Sequence, residues 1–209
     1  MPSPLIPNRR RARRNPSQTI ENMPHQLSSH RLVADRSAVL VIDLQQKLMP
    51  AVPSGDHVVE LTEALLQAAD LLEIPSAATV QYPKGLGGLV HPLDKRFPDA
   101  EQKLDFSSAV CRRHIDAWIA DGRDQILICG IETHICVLQT VMDLVEEGLQ
   151  PIVVAEAVAA RGGWEHELAI EQMRSMGVTM TSVESVLFQW LGTAAHAEFK
   201  AISRIVKGL

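Results

Sequence analysis

The sequence predicts an α/β domain of three layers, αβα, in which a parallel sheet is covered by helices on both faces. Three observations lead there. Apolar runs of strand length alternate with segments of helical period from Ser37 to the end of the 209-residue chain. The first run, Ala38-Val39-Leu40-Val41-Ile42, is unbroken and mostly β-branched, as a strand covered on both faces requires. A hydrophobic content of 46% suffices for one substantial core, and no internal repeat or linker divides the body.

The elements follow in order. Residues 38–42 form the first strand. Over 58–72, Val58, Leu61, Leu65, Ala69 and Leu72 recur at helical spacing until Ile74-Pro75 closes the helix. Residues 76–80 read as the second strand. Residues 82–103 read as a loop, carrying Gly85, Gly87, Gly88, Pro83, Pro92 and Pro98; a loop that long in a compact domain is uncommon unless it covers a site. A helix over 107–120 ends at Gly122, an apolar strand covers 125–129, and a helix over 133–147 stops at Gly148. A strand at 151–155, a helix at 164–176, a short strand at 178–181 and helices at 184–191 and 195–206 complete the chain.

Charge is unevenly divided. Residues 1–36 hold seven Lys/Arg, five of them between Arg9 and Arg14, against Glu21 and Asp35, a local charge of +5. Residues 37–209 hold 13 Lys/Arg and 23 Asp/Glu, a charge of −10, and the whole chain has eight aromatics. An acidic, aromatic-poor body argues against nucleic acid as partner, which calls for a basic face and stacking rings. No apolar run reaches the roughly 18–20 residues of a membrane span. Three cysteines are too few, and odd in number, for a disulfide scaffold, so a cytoplasmic, thiol-reduced protein is expected. Five prolines in the first 24 positions make the basic leader a disordered tail. The alternative, an organelle transit peptide, needs an amphipathic helix that those prolines spoil. Met23 is a further position at which a shorter chain could begin.

In parallel sheets the site lies outside the carboxyl ends of the strands. Asp43 directly follows the first strand, where a cap with a solvated carboxylate is the commoner fate of a lone Asp. Cys136 stands between a strand and a helix in Gly130-Ile131-Glu132-Thr133-His134-Ile135-Cys136. With Thr133 as N-cap, Cys136 occupies N3, where free amides and the positive dipole end favour a thiolate; the plainer reading is a small buried hydrophobe. Cys129, inside a strand, and Cys111, mid-helix, read as structural. His134 adjoins Cys136 but points elsewhere on a helix, and His57, His91, His114, His166 and His196 read as surface. Gly85-Leu86-Gly87-Gly88 is not placed as a phosphate loop, and no pair of histidines and no C-x-x-C offers metal-ligand spacing.

Three blocks together resemble the isochorismatase-like cysteine hydrolases: Val39-Leu40-Val41-Ile42-Asp43-Leu44-Gln45, Lys103 ahead of Phe106-Ser107, and Cys129-Gly130-Ile131-Glu132-Thr133-His134-Ile135-Cys136-Val137. The Gln81-Tyr82-Pro83 loop and the tail over 181–202 look closest to the small isochorismatase-domain hydrolases. The resemblance implies a Rossmann-like fold over residues 37–209 and a triad of Asp43 as base, Lys103 as the charge between, and Cys136 as nucleophile. It implies a cis peptide between Ile131 and Glu132 and an oxyanion hole from the Glu132 and Cys136 amides. Lys84 and Lys95 also lie in the variable loop, but only Lys103 stands four residues before Ser107. Relatives that hydrolyse nicotinamide carry a metal beside the triad. Asp56 and His57 are present here, whereas Gln81-Tyr82-Pro83 replaces the later His-bearing segment, so no metal and no cofactor are expected.

The activity implied is hydrolysis of a small amide, imide or related C–N bond through a thioester. The alternative is a catalytically idle member serving as a partner-binding or scaffold protein. Tyr82, Phe106, Ile135 and Trp164 are candidates for the substrate pocket. A homo-oligomer is expected by resemblance, with Val186, Leu187, Trp190, Leu191, Phe199, Ile202 and Ile205 able to cover an interface or to pack on the sheet.

Overall fold

The computed structural model describes residues 27–209, so the disorder expected of residues 1–26 and the alternative start at Met23 lie outside the described residues. A compact body spans Leu32–Leu209. Residues 32–36, grouped with the leader on composition, pack into it: Leu32 is buried, the Val33 amide donates to Gln125 Oε1 at 2.9 Å, and Arg36 pairs with Asp124 at 2.6 Å.

In chain order the elements are β1 (Ser37–Ile42), α1 (Gly55–Leu71), β2 (Ser76–Gln81), the short helices α2 (Pro83–Leu86) and α3 (Leu93–Arg96), β3 (Glu101–Lys103), and α4 (Arg112–Ala120). There follow β4 (Gln125–Ile131), a wide π-type turn over Thr133–Val137 that runs into α5 (Leu138–Glu146), β5 (Gln150–Ala159), α6 (Gly163–Ser175), β6 (Thr179–Thr181), α7 (Val183–Leu191) and α8 (Phe199–Val206). Six strands make one parallel sheet in the order β3-β2-β1-β4-β5-β6, a three-layer α/β fold.

Strand β1 is buried along its whole length. Its alternate residues divide between two cores: Val39 and Val41 face α1, α7 and α8, while Ala38, Leu40 and Ile42 face α4, α5 and α6. An uninterrupted apolar run is the pattern such a doubly covered strand demands. The stripe on the last two helices packs on the sheet: Val186, Leu187, Trp190, Leu191 and Ile202 are buried in the first core, and Phe199 and Ile205 lean against it. Trp190 Nε1 also donates to Ser37 Oγ at 2.9 Å.

Several local expectations change. The loop expected over 82–103 contains α2, α3 and the edge strand β3, because Lys103 and its neighbours find ladder partners in β2. The helix expected over 107–120 is broken, with a single turn at Ser108–Val110 before α4, so Cys111 lies at the junction rather than mid-helix. The last helix begins at Phe199 rather than 195. Among the described residues no helix is long and apolar enough to cross a membrane.

Candidate active site

The strand order reverses between β1 and β4, and the crevice at their carboxyl ends is where open α/β sheets hold ligands. Asp43, the first residue beyond β1, has a left-handed backbone (φ 52°) and no solvent exposure. Its amide donates to the Thr79 carbonyl at 3.2 Å, and Thr79 Oγ1 donates to Asp43 Oδ1 at 2.8 Å. Lys103 ends β3 two strands away, and its side chain is equally enclosed. Its ammonium donates to Asp43 Oδ2 at 2.6 Å, Gln81 Oε1 at 2.8 Å and the Phe106 carbonyl at 2.9 Å, with the Asp105 carbonyl at 3.4 Å. The buried ammonium is thus surrounded by acceptors that offset its loss of water.

Gln81 holds this arrangement from behind: Nε2 donates to the Leu104 carbonyl at 2.7 Å while Oε1 receives Lys103. Gln45 in turn accepts the Gln81 amide at 2.7 Å and donates to the Gln81 and Gly87 carbonyls at 3.0 and 2.7 Å.

Cys136 lies in the wide turn after β4, buried, with its thiol acted on by both the Asp43 carboxylate and the Lys103 ammonium. Burial, and next the Asp43 carboxylate, push the thiol up to about 12; Lys103 opposes them. Burial thus works against the thiolate that a helix N-terminus favours. Glu132, not Thr133, caps the turn, and the enclosed sulfur faces an anion as well as a cation. Burial likewise pushes Cys111 up to about 11 and Cys129 to about 12, but no hydrogen bond joins either to the Asp43–Lys103 pair.

The peptide bond between Ile131 and Glu132 is cis. Gly130 (φ 122°) precedes it and leaves no room for a Cβ, which would stand 2.0 Å from the Ile42 carbonyl oxygen. Glu132 is buried, and its Oε2 accepts from the Arg161 amide at 2.9 Å and Arg161 Nε at 3.0 Å. Thr133 Oγ1 is 2.9 Å from His166 Nδ1. Burial lowers His166 below its usual range, which favours the neutral ring against Thr133, while Glu167 opposes it. His166 is thus half-enclosed at the nucleophile turn rather than a surface histidine, because α6 packs against that turn.

Asp43, Lys103 and Cys136 thus come together from the ends of three strands, with Glu132 beside them. Tyr82, Phe106, Ile135 and Trp164 follow β2, β3, β4 and β5 and share the same edge of the sheet. Tyr82, Phe106 and Trp164 are 51%, 52% and 72% exposed, a rim rather than an enclosed pocket; Ile135 is half-buried. A cavity of about 420 Å³ lies beyond Glu132, lined among others by Ser54, His57, Glu156, Arg161 and His166, and none of the four rim residues lines it. Asp56 and His57 begin α1, where His57 pairs with Glu60, and among the described residues no cluster of His, Cys, Asp or Glu could hold a metal. Lys84 is exposed and Lys95 lies on α3.

Thr79, Ser108, Gln81, Arg161 and His166 escape a reading of the sequence. Gln81 stands out only as part of the Gln81-Tyr82-Pro83 loop, and Thr79 is one of three polar residues of β2, with Ser76 and Gln81. The others are joined to the site by pairings between distant segments.

An Isochorismatase domain is matched over residues 37–185. A secreted isochorismatase effector, Isc1, of Phytophthora sojae is 36% identical over 184 residues, covering 85% of this chain and 87% of that protein. Among solved structures, the MAR1 ribonuclease of Caenorhabditis elegans superposes with a TM-score of 0.78 at 32% identity, over 85% of this chain and 92% of the other. The YcaC gene product of Escherichia coli, described as an octameric hydrolase of unknown specificity, shares the fold with a TM-score of 0.72 at 22% identity, over 88% and 98% of the two chains.

Proposed function

Because the chain belongs to the isochorismatase family, we propose that it is a cysteine-dependent hydrolase of a small amide, imide or related C–N bond. The observation that carries this reading is the enclosed Lys103–Asp43 pair at 2.6 Å with the Cys136 thiol against it. A scaffold protein has no use for a buried ion pair facing a thiol, whereas a nucleophile that rests as S–H needs a base at hand. The acidic body, −10 over residues 37–209, favours a small substrate over a nucleic acid.

The steps follow from the resting geometry. As the Cys136 sulfur attacks the carbonyl carbon, its proton passes to the Asp43 carboxylate, which Lys103 holds in place. The new S–C bond drives the carbonyl electrons onto oxygen, where the Glu132 and Cys136 amides form the oxyanion hole. Collapse breaks the C–N bond, and the amine leaves with the proton from Asp43. A water then adds to the thioester, giving a proton to Asp43; the C–S bond breaks and the thiolate takes that proton back. Arg161 and His166 position the oxyanion segment through Glu132 and Thr133. Tyr82, Phe106, Ile135 and Trp164 would meet the substrate at the rim.

The test is alkylation by iodoacetamide with peptide mapping. Cys136 should label first, and Asp43→Asn and Lys103→Ala should both slow it. Faster labelling of Cys111 would overturn the assignment. A panel of small amides followed by ammonia release then searches for turnover; none from an unreactive Cys136 would favour the scaffold reading. Light scattering tests the homo-oligomer that the octameric relative suggests.

A further inference from the structure

We propose that Thr79 and Ser108 are positioning residues for Asp43. They form a two-hydroxyl relay that donates to the carboxylate while it is ionised and accepts from it once it holds the thiol proton. The inference rests on the triad reading above and concerns how one carboxylate can serve as base and then as acid where water is shut out.

Thr79 lies opposite Ile42 in the β1–β2 register, so its backbone and its hydroxyl both reach Asp43. A carboxylate only accepts, so the single Thr79 proton lies toward Oδ1. The contact between Thr79 Oγ1 and Ser108 Oγ, at 3.0 Å, must then be donated by Ser108. Two hydroxyls in series, both polarised toward one anion, strengthen each other.

The relay is also tied to the nucleophile. The Ser108 amide donates to Thr140 Oγ1 at 2.7 Å, and Thr140 Oγ1 donates to the Cys136 carbonyl at 2.6 Å. Asp43, Ser108 and Thr140 have no exposure and Thr79 has 1%, so no water substitutes for any of them. The chain Asp43–Thr79–Ser108–Thr140–Cys136 ties the base and the nucleophile to each other.

Lys103 keeps its own proton on Asp43 Oδ2, so the proton taken from the thiol comes to rest on Oδ1. There the hydrogen bond reverses: Oδ1–H donates to Thr79 Oγ1, Thr79 turns its proton to Ser108 Oγ, and Ser108 rotates its own proton away from Thr79. Only O–H bonds rotate; no heavy atom moves. Both protonation states of Asp43 are thereby satisfied.

The experiment measures the rate of Cys136 alkylation by iodoacetamide against pH. Thr79→Val, nearly isosteric, should slow labelling by about 10- to 100-fold near neutrality, the worth of one hydrogen bond to a charged group. Removing a donor from the ionised form disfavours that form, so the acid limb of the rate should also move to higher pH. Thr79→Ser should restore rate and profile, and Ser108→Ala should show a smaller loss in the same direction. The other groups that face Asp43, namely Lys103 on β3, Cys136 in the turn and Cys111 ahead of α4, are unchanged in these variants.

A wild-type rate and limb in Thr79→Val would overturn the relay, as would a Thr79→Ser variant as slow as Thr79→Val. Should Thr79→Val fail to fold, Thr79→Ser and Ser108→Ala decide alone, the relay failing if Ser108→Ala labels as wild type. Asp43→Asn separates the two levels. If it labels normally the triad reading itself falls; if it is slow while Thr79→Val is not, only the relay falls.

Discussion

Replacing Lys103 by methionine should be among the most damaging single changes in this protein, for electrostatic rather than steric reasons. Both partners of the Lys103–Asp43 pair are fully enclosed and their charged atoms are 2.6 Å apart. Methionine keeps most of the side-chain volume but leaves the Asp43 carboxylate with the Thr79 hydroxyl and the weakly donating Cys136 thiol in place of an ammonium. Gln81 Oε1 and the Phe106 carbonyl lose their donor as well. Removing one member of a buried pair costs about 3–5 kcal/mol, because the surviving charge is desolvated without compensation. In a domain of this size each kcal/mol moves Tm by roughly 2–4 °C, so a fall of about 6–20 °C is expected. The double variant Asp43→Asn/Lys103→Met removes the stranded charge and should recover at least about 2 kcal/mol of the loss. Urea unfolding of the wild type, both single variants and the double variant closes the cycle. Arg113→Ala, which breaks an ion pair to Asp99 with both side chains more than half exposed, serves as the control and should cost about 1 kcal/mol or less. If Lys103→Met costs no more than that control, or the double variant is no more stable than Lys103→Met, the reasoning from burial is wrong.

Two further outcomes follow from the segment around the nucleophile. Gly130→Ala should cost about 3 kcal/mol or more in unfolding free energy, or fail to yield folded protein, since the new Cβ meets Ile42 backbone and the residue sits at φ 122°. Gly88→Ala, where a Cβ meets nothing within 4 Å, should unfold like the wild type, and equal midpoints for the two would refute the argument. For His166, burial lowers the ring below its usual 6.5, so the folded state binds the proton less readily than the unfolded one. Its contribution to stability is therefore complete above that value and lost as pH falls from there through the lowered folded-state value. Between about pH 7 and about pH 5 the unfolding midpoint of the wild type should drop further than that of His166→Gln, and parallel curves would show that His166 is not linked to folding.

The order of the strands' chemistry was readable before any coordinates. Val39–Ile42 could only be a doubly covered strand, and the residue after it, Asp43, was already a candidate because carboxyl ends of parallel strands converge. Cys136 stood out because a strand and a helix meet there. Lys103 was harder: it sat in what reads as a loop, since three residues of edge strand carry no periodicity of their own, and β3 exists only because β2 offers it a ladder. The environment of Cys136 is hidden from the sequence for a similar reason. Position at a helix start is local, but the core that encloses its thiol is shared with β1 residues such as Leu40 and Ile42, nearly a hundred residues away.

What the amino-acid order determines by itself is the layered α/β architecture and the placing of Asp43 and Cys136 after strands, because burial pattern and strand–helix alternation are properties of neighbouring residues. What only the tertiary structure decides is how those groups are tuned. That Thr79 meets Asp43, that Ser108 meets Thr79, and that Arg161 meets Glu132 depend on sheet register and on loops packing across one another. No local periodicity encodes such pairings, since each is set by the relative placement of segments 29 to 36 residues apart.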